Sequence, residues 1–185
     1  MIKDALTEAE GRMNGAITAL RNDLSAIRTG RASPALVERL EVAYYGTPTP
    51  LQQLATISAP EPRLLTIKPF DPSSLKDIER AILASELGLT PNNDGKMIRL
   101  GIPALTEERR KQLTKVVHHR LEEARVAVRN IRRAVHDDLR EFQKEKLVSE
   151  DELTRGEGEL QKLTDRFVEK IDDLGKRKES EIMEI

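Results

Sequence analysis

The sequence has no cysteine and no tryptophan, and only 3% of its residues are aromatic. Without cysteine it can build neither a disulfide framework nor a thiolate zinc site. So few aromatics beside 34% charged residues suit exposed helices better than a thick sheet-based core. No run approaches the ~20 apolar residues needed to cross a bilayer. The opening MIKDALTEAE lacks the basic start and apolar run of a secretory signal. Neither GxxxxGK[ST] nor GxGxxG occurs, which removes the usual routes to nucleotide binding or hydrolysis. Ser33, Ser73 and Ser74 have no histidine placed to activate them and read as turn and cap residues. His118 and Glu122, four apart, could be two metal ligands, but no third is placed, so an i,i+4 surface pair is the simpler reading. The expectation is a soluble, cytoplasmic protein that is not an enzyme and has no metal, cofactor or membrane segment.

Proline is also missing from most of the chain. All nine prolines lie between Pro34 and Pro103. Proline removes a donor and clashes inside a helix, so long helices can run only outside that window. Charge divides the chain in the same place. Residues 31–103 carry eight Lys/Arg and eight Asp/Glu, and the flanks carry 23 and 24, about twice the density.

The flanks read as three helices. Ile2, Leu6, Ala9, Met13, Ile17, Leu20, Leu24 and Ile27 recur every three or four residues, an apolar stripe that stops at Thr29-Gly30 before Pro34. Thr106 is a plausible N-cap for a second helix with Glu107 and Glu108 in its first turn. Its stripe runs from Leu113 through Val117, Leu121, Ala124, Val128, Ile131, Val135 and Leu139 to Phe142, ending near Leu147. Ser149 and Glu152 form a capping-box pattern for a third helix, although Gly156 and Gly158 weaken its first turns and allow a later start. Three single-stripe helices bury one another most simply as an elongated antiparallel three-helix bundle.

The middle is a small, mostly β module inserted between helices 1 and 2, an α+β two-domain architecture. LVERLEVAYYG, LQQLATIS, RLLTIKPF and KMIRLGIP read as strands, with turns at GTPTP, APEP and NNDG. One helix interrupts them, capped by Asp71 with Pro72 first, carrying Leu75, Ile78, Ile82 and Leu83 and ending at Gly88. Tyr44-Tyr45 are most simply strand residues, and a partly exposed pair could be a contact surface. The expected domains are 1–29 with 106–185, and 30–105. The connections at 29–34 and 102–106 contain Gly30, Pro34 and Pro103 and resemble a hinge, as ordinary junctions also can.

The most informative stretch is RVAVRNIRR at 125–133. At roughly 100° per residue, Lys111, Lys115, His118, Arg125, Arg129, Arg132, Arg133, His136 and Arg140 share a sector of about 100° with one acid, Glu122. The apolar stripe is expected opposite. A chain of net charge −1 thus gathers cations along one helix, an arrangement suited to a phosphate backbone. Arginine also forks onto phosphate oxygens and stacks on unpaired bases. A solvated face, or ion pairs to acids on the neighbouring helices, accounts for the same pattern.

Four blocks, IRTGRASP at 27–34, YYGTPTPLQQLA at 44–55, LTEERRKQLTK at 105–115 and ARVAVRNIRR at 124–133, together resemble the bacterial ribosome-recycling factor family. The resemblance spans essentially the whole chain in the right order. It implies an L-shaped monomer that binds the post-termination ribosome with its helical arm against large-subunit ribosomal RNA. It further implies that elongation factor G with GTP acts on the inserted module to split the ribosome. Carried onto this chain, Arg129, Arg132 and Arg133 would be the principal RNA contacts, with Arg125 and Lys115 secondary. Thr29, Gly30, Arg31, Ile102 and Pro103 would fall at the hinge. The alternative is a helical adaptor, or an RNA-binding module without a role in recycling.

Overall fold

A computed structural model describes residues 1–184. They form two compact units, Met1–Ile27 with Glu108–Glu184, and Arg28–Glu107.

The first unit is built from α1 (Ile2–Ser25), α3 (Glu107–Lys144) and α4 (Glu150–Met183). In α1 and α3 the buried residues belong to the apolar stripe: Ala9, Met13, Ile17, Leu20 and Leu24 in α1, and Leu113 through Leu139 in α3. In α4, Leu160, Phe167, Ile171 and Ile182 are joined by Gly156, Thr164 and Gly175. The 38 residues of α3 make a rod about 57 Å long. It ends at Lys144, short of Leu147, because Lys146 turns left-handed at φ 59°. That turn lets the Lys146 N–H reach Gln143 O at 3.0 Å and the Leu147 N–H reach Phe142 O at 2.9 Å, a Schellman-type closure. Ser149 then opens α4: its Oγ accepts from Glu152 N, and the Glu152 carboxylate accepts from Ser149 N at 2.7 Å. The double cap holds the first turn, so α4 starts at Glu150 and not beyond the glycines.

Those glycines differ in kind. Gly158 is exposed with nothing within 4 Å of where a Cβ would stand. Gly156 and Gly175 are buried contact positions. A Cβ on Gly156 would stand 2.9 Å from Ile2 Cγ2 and 3.5 Å from Leu139 Cδ1, so all three helices meet there. One on Gly175 would overlap Leu121 Cδ1. The narrow core is closed by backbone approach as well as by Phe167, Leu160 and Ile171. Thr164 is buried too and returns its hydroxyl to Leu160 O at 2.8 Å.

The second unit holds a two-stranded hairpin, β1 (Glu41–Tyr44) with β2 (Thr47–Pro50), and a four-stranded antiparallel sheet. The sheet order is β3 (Ala55–Glu61), β4 (Leu64–Pro69), β6 (Ile98–Gly101), β5 (Pro91–Asn93). The helix α2 (Leu75–Ala84) buries Leu75, Ile78 and Ile82 against a core of Val37, Val42, Leu51, Leu65, Ile67, Ile98 and Leu100. Asp71 caps the 3-10 turn at Pro72–Ser74 that leads into it. Several local expectations change. TPTP is a strand, with Pro48 opposite Ala43 and Pro50 opposite Glu41, tolerated because proline can sit on a sheet edge. The turn before it is Tyr45-Gly46, both at positive φ. Leu51–Gln53 is a 3-10 turn, and Leu83 points outward, 61% exposed. α2 ends at Ala84, four residues before Gly88. Within NNDG, Asn92 and Asn93 belong to β5. Asp94 makes the turn, accepting from Met97 N and Lys96 N, each at 2.9 Å, and from Arg99 Nη1 at 2.6 Å. Those donors hold its carboxyl down to about 2.

The two kinds of glycine predict opposite responses to alanine. Gly158→Ala should stabilise the protein by about 0.5–1 kcal/mol through helix propensity. Gly175→Ala gains the same propensity but must displace buried Leu121, and overpacking costs about 1–3 kcal/mol. Thermal melting should rise for the first and fall for the second.

Candidate nucleic-acid interface

The cationic sector of α3 lies beside its buried column, not opposite it. With roughly 100° between residues, the centres of the two sectors are about 110° apart. One edge of the cationic sector therefore faces α4, and α4 answers with a column of its own. His118 pairs with Glu179, Arg125 with Asp172, Arg132 with Gln161, and Arg140 with Glu157. Advancing along α3 retreats along α4, the register of antiparallel helices. His136 joins Glu157 at 3.0 Å.

Partners sort the candidate residues. Arg125 is the most committed: its Nη2 and Nε lie 2.6 and 3.2 Å from Asp172 Oδ1, and its side chain is 29% exposed. Hydrogen bonding to Asp172, set against partial desolvation, raises its already high pKa. Arg129 Nη2 is 2.5 Å from Glu122 Oε1, and Glu122 Oε2 also accepts from Arg125 at 3.4 Å. The Arg129 guanidinium holds the Glu122 carboxyl below its usual range, with Arg125 adding to it. Glu122 thus bridges two arginines; it is not the partner of His118. Arg132 donates to a neutral acceptor, Gln161 Oε1, at 3.4 Å. Arg133 and Lys115 are exposed and have no hydrogen bond or ion pair among the described residues. The stripe is accordingly neutralised at Arg125 and Arg140 by α4 and at Arg129 by Glu122, and stays cationic at Lys115, Arg132 and Arg133. His119 and Arg120 pair with Glu123 outside the sector.

Asp172 and Glu157 are the residues that a single-helix projection misses. Each follows a buried position of α4, Ile171 and Gly156, and so flanks the seam. Among the described residues no three His, Cys, Asp or Glu side chains are grouped to hold a metal ion, and no helix is long and apolar enough to cross a membrane.

In the second unit, the two connecting segments are tied to one turn. Ala32 N donates to Pro62 O at 2.7 Å and Ile102 N to Arg63 O at 2.8 Å. Thr29 is buried, Ile102 packs on the unit's core, and Arg31 and Pro103 are exposed. Gly30 has φ +75°, and a Cβ there would stand 3.2 Å from Leu105 Cγ. Elsewhere in this unit, Tyr44 and Tyr45 stack edge to face at 4.6 Å between ring centroids. Asp71 anchors them: it accepts from Tyr44 Oη at 3.2 Å and from Ser73 N and Oγ, and the Ser73 donors hold its carboxyl low. Tyr45 is 80% exposed and Phe70 66%.

Comparison with known proteins places this arrangement. A family model described as "Ribosome recycling factor" matches residues 20–183. The ribosome-recycling factors of Roseiflexus sp. (strain RS-1) and Halalkalibacterium halodurans are 59% and 57% identical, each over 100% of both chains. A solution structure of a ribosome recycling factor superposes with a TM-score of 0.79 at 43% identity, covering 100% of this chain and 98% of that one. A second solved chain covers 100% of both at 47% identity and a TM-score of 0.68. It comes from a description of the T. thermophilus ribosome recycling factor and E. coli elongation factor G bound to the E. coli post-termination complex. On full-length identity and shared fold, the chain belongs to the ribosome recycling factor family.

Proposed function

We propose that this protein binds the post-termination ribosome in the cytoplasm as a monomer and, with elongation factor G and GTP, splits it into subunits for reuse. The observation that carries the reading is the full-length likeness to a chain described on that complex beside elongation factor G. The geometry supplies a means. Arg132, Arg133 and Lys115 offer cations without carboxylate partners to ribosomal RNA phosphates. Arg129 can join them when Glu122 lets go, an exchange made easy by the exposure of both side chains. Arg125, held by Asp172, serves mainly to fix the seam. The GTPase supplies the work, the bundle a rigid lever, and the connections at Thr29, Gly30, Arg31, Ile102 and Pro103 the hinge through which the inserted module moves.

Two sets of variants test this. Arg132→Glu should abolish binding to large ribosomal subunits in sedimentation while leaving the melting temperature nearly unchanged, because a half-buried arginine with one long bond to a neutral partner contributes little to folding. Arg125→Glu, facing Asp172, should lower the melting temperature instead. A structural Arg132, with melting lowered by about ten degrees, would contradict the assignment. Gly30→Ala, strained by about 1–2 kcal/mol at positive φ, should spare binding and slow subunit splitting with elongation factor G and GTP. Unchanged splitting would remove this position from the mechanism.

A further inference from the structure

Of the basic-sector side chains that reach α4, all but one meet a carboxylate there. His118, Arg125, His136 and Arg140 face Glu179, Asp172 and Glu157. At the centre, Arg132 faces the amide of Gln161. This amide has a fixed direction. Its Nε2 donates to Asp165 Oδ1 at 2.8 Å, one turn further along α4, and its Oε1 accepts from Arg132 Nη1 at 3.4 Å. A carboxylate only accepts and a guanidinium only donates, so a single amide orientation satisfies both. A glutamate of nearly the same shape at 161 would bring a charge-assisted pair to Arg132, as Asp172 does to Arg125.

We infer that Gln161 is a positioning residue for RNA binding: it holds the Arg132 guanidinium in place through a neutral acceptor and so preserves its charge for a phosphate. The inference rests on the proposed RNA contact of α3. A freely rotating arginine must lose side-chain freedom when it binds, and a carboxylate partner must first be displaced. The amide avoids both costs. One long neutral bond sets the side chain against α4, and the guanidinium's other N–H groups remain free to meet a phosphate.

The test compares variants at position 161 in the full-length protein, with purified large ribosomal subunits as the probe. Gln161→Glu gains a pair to Arg132 but loses the bond to Asp165 and sets two carboxylates one turn apart, so it should leave the melting temperature nearly unchanged while weakening binding by about tenfold. Gln161→Ala leaves the charge but frees the side chain, and should weaken binding by about threefold. Ser180→Glu adds the same charge to α4 some 28 Å away and should leave binding nearly unchanged. The inference is overturned if Gln161→Glu binds like the parent, or if Ser180→Glu weakens binding as much. Arg132→Glu separates the two levels. If it abolishes binding while the Gln161 variants do nothing, only the role of Gln161 fails; if it also binds normally, the RNA reading fails.

Discussion

A helix that gives one column of side chains to a bundle can offer a partner only the columns beside and behind it. That constraint governs α3. Its buried residues recur so regularly from Leu113 to Leu139 that the helix cannot rotate without exposing them. The guanidinium column is consequently fixed in space relative to α4. It sits near enough that its inner edge is met by α4 side chains, and far enough that Arg133 and Lys115 stay in solvent. The core and the candidate interface are two consequences of one phase angle.

The seam then decides which cations remain available. Ion pairs that reach solvent contribute about 0–1 kcal/mol each, so, the part-buried Arg125–Asp172 pair apart, the carboxylates of α4 matter less for stability than for local charge. Asp172 and Glu157 cancel the charges of Arg125 and Arg140, and Gln161 leaves that of Arg132 in place. Glu122 adds a second, movable cancellation at Arg129. A stripe that looks uniform along one helix is divided into cancelled and available cations once the neighbouring helix is present.

Much of the fold was legible from periodicity and punctuation. The stripes of α1 and α3, the Ser149–Glu152 box and the Asp71 cap follow from local chemistry that any correct fold must satisfy. What was not legible depended on contacts distant in sequence. Gly156 and Gly175 read as weak helix formers, yet they are places where α4 approaches Ile2 and Leu121. TPTP reads as a turn because proline usually breaks ladders, yet a hairpin edge accepts it. At the candidate site, the cations could be named from RVAVRNIRR, but their pairing could not. Asp172 lies 47 residues from Arg125, and only the antiparallel packing brings them together. The expectation that the basic and apolar columns lie opposite failed on the helix geometry itself, since the two sectors are adjacent.

Binding by this protein turns on whether the cations of α3 grip a phosphate backbone. The most direct test is the salt dependence of binding to large ribosomal subunits. Three available cations should give a log–log slope of about −2 to −3, each neutralised phosphate contributing about −0.7 to −0.9. A slope near zero would mean that apolar burial carries the contact, and the guanidinium column would then have no part in it.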